Sequence, residues 1–259
     1  MQGIVSSLLW PAGDAPGLRN ERSPWIDVRF FPVDDMLAQV DAQDHRRFIK
    51  THSPADCVPI FEQCKYITVY RDGRDALMSW ANHRAKMRPA AIAFLNSTVE
   101  ADGIEPMVPE WTGDMDVLLD EWSTRCSAIA HLASWWPLRH EPFVYFVHYN
   151  DLKADLAGEM RKIAGYLDID VPEAHWPEVV DCCSITRMRD DSANAGINMI
   201  MEGGAASFFF KGTNGRWRDV LTPAQLERYD RLVADGLPSD AAQWLEHGSV
   251  VLGQRPAEI

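Results

Sequence analysis

Three short stretches carry residue types that can do chemistry. In the first, Lys50-Thr51-His52, a cation and an imidazole lie two residues apart. On an extended strand that spacing puts both on one face. A histidine so placed can take a proton from an alcohol near neutral pH, and the lysine can stabilise charge developing on a transferring group. The second stretch starts at Arg71. Asp72 can cap a helix from Gly73 to Met87, and that helix carries Asp75 and Ser79. A helix N-terminus attracts anions. Ser79 lies roughly 10 Å along the axis, so Arg71 and Ser79 share one phosphate only if it lies beside the helix. The third stretch is Phe208-Phe209-Phe210-Lys211-Gly212-Thr213-Asn214-Gly215-Arg216-Trp217-Arg218. An apolar run stops at Lys211, and Gly212 and Gly215 let backbone approach a ligand. Lys211, Arg216 and Arg218 surround the turn with positive charge, as a phosphate clamp requires. Taken singly, each stretch has a structural alternative: a core His52, an Arg71 paired with Asp72 or Asp75 at the surface, and a basic turn under an aromatic cluster.

Positioning these groups takes regular elements. Runs of β-branched and aromatic residues predict strands over Arg47–Lys50, Tyr66–Tyr70 and Phe143–Val147, apolar enough to be buried on both faces as in a parallel sheet. Residues 1–10 read as an apolar helix ended by Pro11 and Gly13. Three- and four-residue spacing of apolar positions predicts helices over 115–135 and 151–167. Thr222-Pro223-Ala224-Gln225 is a capping box with proline at the first helical position. Strands alternating with helices predict one α/β layered domain over residues 1–259. Residues 88–114, with Pro89, Gly103, Pro106, Pro109 and Gly113, read as an irregular insertion, either an acceptor lid or a surface excursion without a role. Residues 190–207 read as a second irregular, mobile stretch.

The formal net charge is -13. That argues against a general nucleic-acid binder and against a surface that clings to anionic lipid. An anionic ligand must then be drawn by a local cluster. The 5 cysteines include the adjacent Cys182 and Cys183 and no Cys-x-x-Cys pair, which suits neither a disulfide framework nor zinc. They read as reduced thiols of a cytoplasmic protein. No run reaches the ~18 apolar residues a membrane helix needs, and no metal is required.

Taken together, the motifs resemble the sulfotransferases that use 3'-phosphoadenosine 5'-phosphosulfate, of the cytosolic type. Lys50-Thr51-His52 resembles that family's Lys-Thr-His, which implies His52 as general base and Lys50 as assistant to sulfuryl transfer. Tyr70-Arg71-Asp72-Gly73-Arg74-Asp75 with Ser79 looks like the segment that holds the 3'-phosphate through Arg71 and Ser79. Tyr149-Asn150-Asp151-Leu152 is similar to the family's Tyr-Glu-Asp-Leu, which puts Tyr149 near the adenine. Cys183-Ser184-Ile185-Thr186-Arg187-Met188 resembles its Thr-Ser-Phe-x-x-Met adenine segment, with Ser184 and Met188 matching. Lys211-Gly212 with Trp217 resembles Lys-Gly-x-x-Gly-x-Trp, at the same phosphate end. The resemblance implies a P-loop-like fold, a parallel sheet flanked by helices. It implies transfer of a sulfuryl group to a hydroxyl of a small molecule or lipid, leaving adenosine 3',5'-bisphosphate. It allows a homodimer, although no dimerisation segment is identifiable.

The sequence also departs from the family. Phe210 stands where the family has arginine, and Arg216 or Arg218 are candidates to replace it. Cys183 and Ile185 stand for the usual threonine and aromatic. The family's opening loop, of the type Tyr-Pro-Lys-Ser-Gly-Thr-Thr-Trp, has no counterpart, and Met1–Val5 is similar to the helix that follows it. The expectation is therefore a fold with the first strand and phosphate loop missing, as from a start placed too late. Two alternatives follow: a catalytically impaired nucleotide- or partner-binding protein, and a phosphotransferase of the related nucleotide-kinase fold.

Overall fold

The computed structural model describes residues 1–27, 32–100, 103–125, 128–190 and 196–249. In chain order it contains α1 (Gln2–Leu9), α2 (Arg19–Arg22), α3 (Val33–Asp41), β1 (Tyr66–Tyr70), α4 (Gly73–Lys86), α5 (Pro89–Glu100), α6 (Met115–Arg125), α7 (Ala128–Trp135), β2 (Val144–His148), α8 (Tyr149–Ala154), α9 (Leu156–Tyr166), α10 (Trp176–Cys182), α11 (Ile185–Asp190), α12 (Ile197–Ile200), α13 (Gly204–Phe208), α14 (Pro223–Gly236) and α15 (Ser239–His247). These fall into two compact units. The first comprises residues 1–52, 82–111 and 169–212, the second residues 53–81, 112–168 and 213–259. The chain passes from one to the other inside α4.

The second unit holds the sheet. β1 and β2 pair in parallel, with Tyr66 opposite Val144 and Tyr70 opposite His148. Parallel strands are joined by helical crossovers, and here α4, α5, α6 and α7 lie between the two in sequence. The inner residues are aromatic: Tyr70 stacks on Phe146 at 5.8 Å, and Trp244 of α15 meets both edge-on. Leu77, Leu118, Leu119, Leu132 and Leu245 of the same unit are fully buried. Burial on both faces holds for most of β2 but not for β1, where Val69 is 43% exposed.

Two end signals are realised as expected. Asp72 Oδ1 accepts from the backbone N–H of Arg74 at 2.9 Å, which caps α4. Thr222 and Gln225 exchange side-chain-to-backbone hydrogen bonds at 3.0 and 3.3 Å, which starts α14. Gly73 has a further reason to be glycine, because a Cβ there would run into the hydroxyl of Tyr229.

The first unit is helical. Ile4, Val5 and Leu8 of α1 are buried, as are Trp176 and Val179 of α10, and the two helices are in contact. Met87, Val108 and Met201 form a second core under Ile92 and Leu95 of α5.

Several expected boundaries are corrected. Over Arg47–Lys50 there is no strand. Only Lys50 makes an isolated parallel bridge, to Trp25. Ile49 is half exposed, and Phe48 packs instead against Trp10 and His45. The helix expected over 151–167 is two helices. Asp155 leaves helical geometry and caps the second by accepting from Gly158 N–H at 2.8 Å. The helix expected over 115–135 is described as α6 and α7, with residues 126 and 127 outside the described residues. Residues 88–114 are not irregular throughout, since α5 occupies Pro89–Glu100. Pro89 sits at the first helical position, where its missing N–H costs nothing. Within 190–207, α12 and α13 are helical, and residues 191–195 lie outside the described residues.

Candidate functional site

In the second unit the site begins with register. Tyr70 and His148 are paired neighbours at the carboxyl ends of parallel strands, so Arg71 and Tyr149 leave the sheet side by side. This is where open α/β sheets bind ligands. The Arg71 guanidinium lies over the Tyr149 ring, 4.6 Å from its centroid. Its Nη2 donates to the Thr213 carbonyl at 2.8 Å and to Asn214 Oδ1 at 2.9 Å, and lies 3.8 Å from Asp75 Oδ1. Its Nε is buried without a hydrogen-bond partner among the described residues. The pairing with Asp75, part of the structural alternative for Arg71, is present at 3.8 Å but reaches a buried carboxylate, and it leaves the Nε donor over among the described residues.

Asp75 is buried and accepts the N–H of Gly215 on both oxygens, at 2.9 and 3.0 Å. Gly215 has φ of +79°, a left-handed conformation suited to glycine. Ser79 is exposed on α4, one turn beyond Asp75. Spacing of four residues puts Arg71, Asp75 and Ser79 along one side of the helix start. The Arg74 guanidinium pairs with Asp72 at 2.8 Å and with Glu246, and it lies 4.2 Å from the Trp217 ring. Arg218 lies 4.6 Å from the same ring. A hollow of about 190 Å³ is lined by Asp75, Asn150, Asn214, Gly215, Trp217 and Arg218, among others.

His148 organises the other side. Its Nδ1 accepts the N–H of Asn150 at 3.1 Å, and its Nε2 faces the Leu245 carbonyl at 3.0 Å. Burial lowers its pKa, against the raising effect of the Leu245 carbonyl and Asp151. A neutral ring protonated on Nε2 satisfies both contacts.

In the first unit, Lys50 and His52 meet on one aromatic ring. Lys50 Nζ lies 3.9 Å from the Trp25 ring centroid, and the His52 ring lies 4.5 Å from it. The bridge that places Trp25 is backbone: Lys50 N–H donates to Pro24 at 2.8 Å, and Ile26 N–H to Lys50 at 3.0 Å. Asp27 Oδ2 accepts from the Thr51 hydroxyl at 2.8 Å and from the His52 N–H at 2.6 Å. Burial pushes the Lys50 ammonium below its ordinary pKa, with Asp27 opposing. This arrangement can accept a proton at the imidazole and present a partly desolvated cation beside it.

The remaining predicted residues of this unit lie on two further segments. Ser184 begins α11: its Oγ accepts from Arg187 N–H at 3.2 Å and its carbonyl from Met188 N–H at 3.0 Å. Lys211 is exposed with Nζ 5.4 Å from the Phe210 ring, and Gly212 has φ of +64°. Cys57, Cys64, Cys182 and Cys183 are all free thiols. Sequence reasoning missed Trp25, Asp27, Asn150 and Asn214. Asn150 and Asn214 sit inside recognised motifs, whereas Trp25 and Asp27 lie in a loop with no periodicity to mark them.

A family model described as "Sulfotransferase domain" matches residues 12–245. A relative named "Glycolipid sulfotransferase" from Mycobacterium bovis is 29% identical over 95% of this chain and 84% of its own length. "Sulfotransferase 1A1" of Rattus norvegicus is 26% identical over 81% of this chain and 69% of its own. Among solved structures, mouse sulfotransferase SULT7A1 complexed with PAP superposes with a TM-score of 0.69 at 19% identity, covering 94% of this chain and 82% of that one. Retinol dehydratase with androsterone and PAP gives 0.68 at 18%, covering 92% and 77%. These two likenesses confirm the expected fold class. No described helix is long and apolar enough to cross a membrane.

Proposed function

The chain belongs to the sulfotransferase domain family and is a sulfotransferase; on that premise we propose that it moves a sulfuryl group from 3'-phosphoadenosine 5'-phosphosulfate to a hydroxyl of a glycolipid or small molecule. The name of the mycobacterial relative, matched over 95% of this chain, supports a glycolipid acceptor. The absence of a membrane-length helix among the described residues is compatible with cytoplasmic work.

The observation that carries the reading is Arg71. It stands at a parallel strand end, it is stacked on Tyr149, and its buried Nε has no hydrogen-bond partner among the described residues. That orphan donor fits an anionic ligand. Arg71 and Ser79 would hold the 3'-phosphate and Tyr149 would flank the base. Ser184 and Met188 would serve the adenine, and Lys211 with the Gly212 N–H would serve the phosphate end. His52 takes the proton of the acceptor hydroxyl as its oxygen bonds to sulfur. The bond from sulfur to the 5'-phosphate oxygen breaks, and its electron pair leaves with that phosphate. Lys50 bears on the negative charge that develops there. The products are a sulfate ester and adenosine 3',5'-bisphosphate, and the proton passes from His52 to water.

The test is His52→Ala, assayed for transfer and for binding of adenosine 3',5'-bisphosphate by calorimetry. Transfer is expected to fall by at least about 10²-fold, the usual contribution of a general base, with binding unchanged. Equal loss of both would make His52 a structural residue.

A further inference from the structure

Asn214 does more than fill the turn between Lys211 and Trp217. Its Oδ1 accepts from Arg71 Nη2 at 2.9 Å, and its Nδ2 donates to Asn150 Oδ1 at 2.6 Å. Asn150 in turn donates from Nδ2 to the His247 carbonyl at 3.3 Å, while its backbone N–H donates to His148 Nδ1 at 3.1 Å. Each link has one permitted direction. The His247 carbonyl accepts only, so it takes the Asn150 amide donor and leaves Oδ1 facing Asn214. Asn214 must answer with its NH2, which leaves its own oxygen for Arg71. The orientation is therefore propagated from the end of α15 through two amides to one guanidinium nitrogen.

The consequence is a division of labour within Arg71. With the Thr213 carbonyl at 2.8 Å, both N–H bonds of Nη2 are committed to protein acceptors. The ring of Tyr149 limits the plane of the guanidinium, and the buried Nε makes no hydrogen bond among the described residues. An arginine side chain loses rotamer freedom when it is fixed. Here that ordering is already in place on the protein's own contacts, before any ligand adds to them.

We infer that Asn214, oriented by Asn150, is a positioning residue that fixes the Arg71 guanidinium for the 3'-phosphate of the nucleotide. The inference rests on the reading of Arg71 as the 3'-phosphate ligand. Asn214 is exposed, so its replacement leaves the core intact.

The experiment is calorimetric titration of the full chain with two nucleotides, adenosine 3',5'-bisphosphate and adenosine 5'-monophosphate. The proteins are wild type, Asn214→Ala, Asn150→Ser, Arg71→Ala and the double variant Arg71→Ala/Asn214→Ala, each with a thermal melt. The expected result is that Asn214→Ala weakens bisphosphate binding about five- to tenfold, the scale of one ordinary hydrogen bond, and leaves the monophosphate unchanged. Asn150→Ser moves in the same direction by less. In the Arg71→Ala background the Asn214 change has no further effect, as coupled neighbours require. Wild-type protein that binds both nucleotides equally overturns the reading of Arg71 and the inference with it. Discrimination undiminished in Asn214→Ala, or losses that add in the double variant, overturns the inference alone. Tighter bisphosphate binding by Asn214→Ala also overturns it, since Asn214 would then compete with the phosphate.

Discussion

The two clusters are held in place by different means. Around Arg71, position comes from regular structure: paired strand ends, a capped helix and a loop pinned by a buried Asp75. Around His52, the described contacts are the Trp25 indole and the Asp27 carboxylate on a loop that an isolated bridge joins to Lys50. The first arrangement spreads the load over many hydrogen bonds, so single changes there trim affinity. The second concentrates it in Trp25 and Asp27, so single changes there disperse the reacting groups. A binding site tolerates graded loss, whereas proton transfer fails over fractions of an ångström.

Trp25→Ala tests this contrast most strongly. Loss of the ring shared by Lys50 and His52 is expected to lower kcat by about 10²-fold through misplacement, while the affinity for adenosine 3',5'-bisphosphate stays within twofold of about its original value. A matching collapse of affinity would show that the clusters are not separately supported. Tyr149→Leu is the converse change. It removes the cation–π contact beneath Arg71, worth about 0.5–1 kcal/mol, so bisphosphate binding weakens roughly two- to fivefold with kcat nearly intact. A larger loss in kcat than in affinity would erase the distinction.

Acid supplies the smallest and most diffuse probe. Burial, then Arg84, then Lys50 lower the pKa of His83 in the first unit from 6.5 to about 4. The folded chain therefore refuses a proton that the unfolded chain binds. Stability from this group is complete above about pH 6.5 and is lost as pH falls toward 4. Urea unfolding at pH 7, 6 and 5 should show the decline, and His83→Phe should make it shallower by about 1 kcal/mol over that window. His148 in the second unit has the same sign, so an unchanged slope in His83→Phe would move the acid sensitivity to that unit.

What the sequence made legible was local. The strands β1 and β2, the Asp72 cap and the Thr222–Gln225 box depend on residues within a few positions of one another, and all were found to within a residue. Arg71 is legible for the same reason, at the end of an apolar run, whereas Tyr149 is marked only by the family resemblance. The misses are nonlocal or ambiguous. Trp25 reaches Lys50 across 25 positions of chain, and nothing in either segment's periodicity announces the pairing. Pro89 was read as a breaker, although proline opens a helix as readily as it ends one. The continuous helix expected over 151–167 breaks at Asp155, whose side chain caps the second helix.

The glycine at the start of α4 carries a last consequence. Gly73 is not among the glycines with positive φ, so backbone freedom does not explain it. It is the floor under the Tyr229 hydroxyl. Positions 73 and 229 thus behave as one variable: a methyl group gained at the first is admissible only where an oxygen is given up at the second. A bench of homologues sorted by these two columns would sort together, and the constraint would show as covariation between the first turn of one helix and the middle of another.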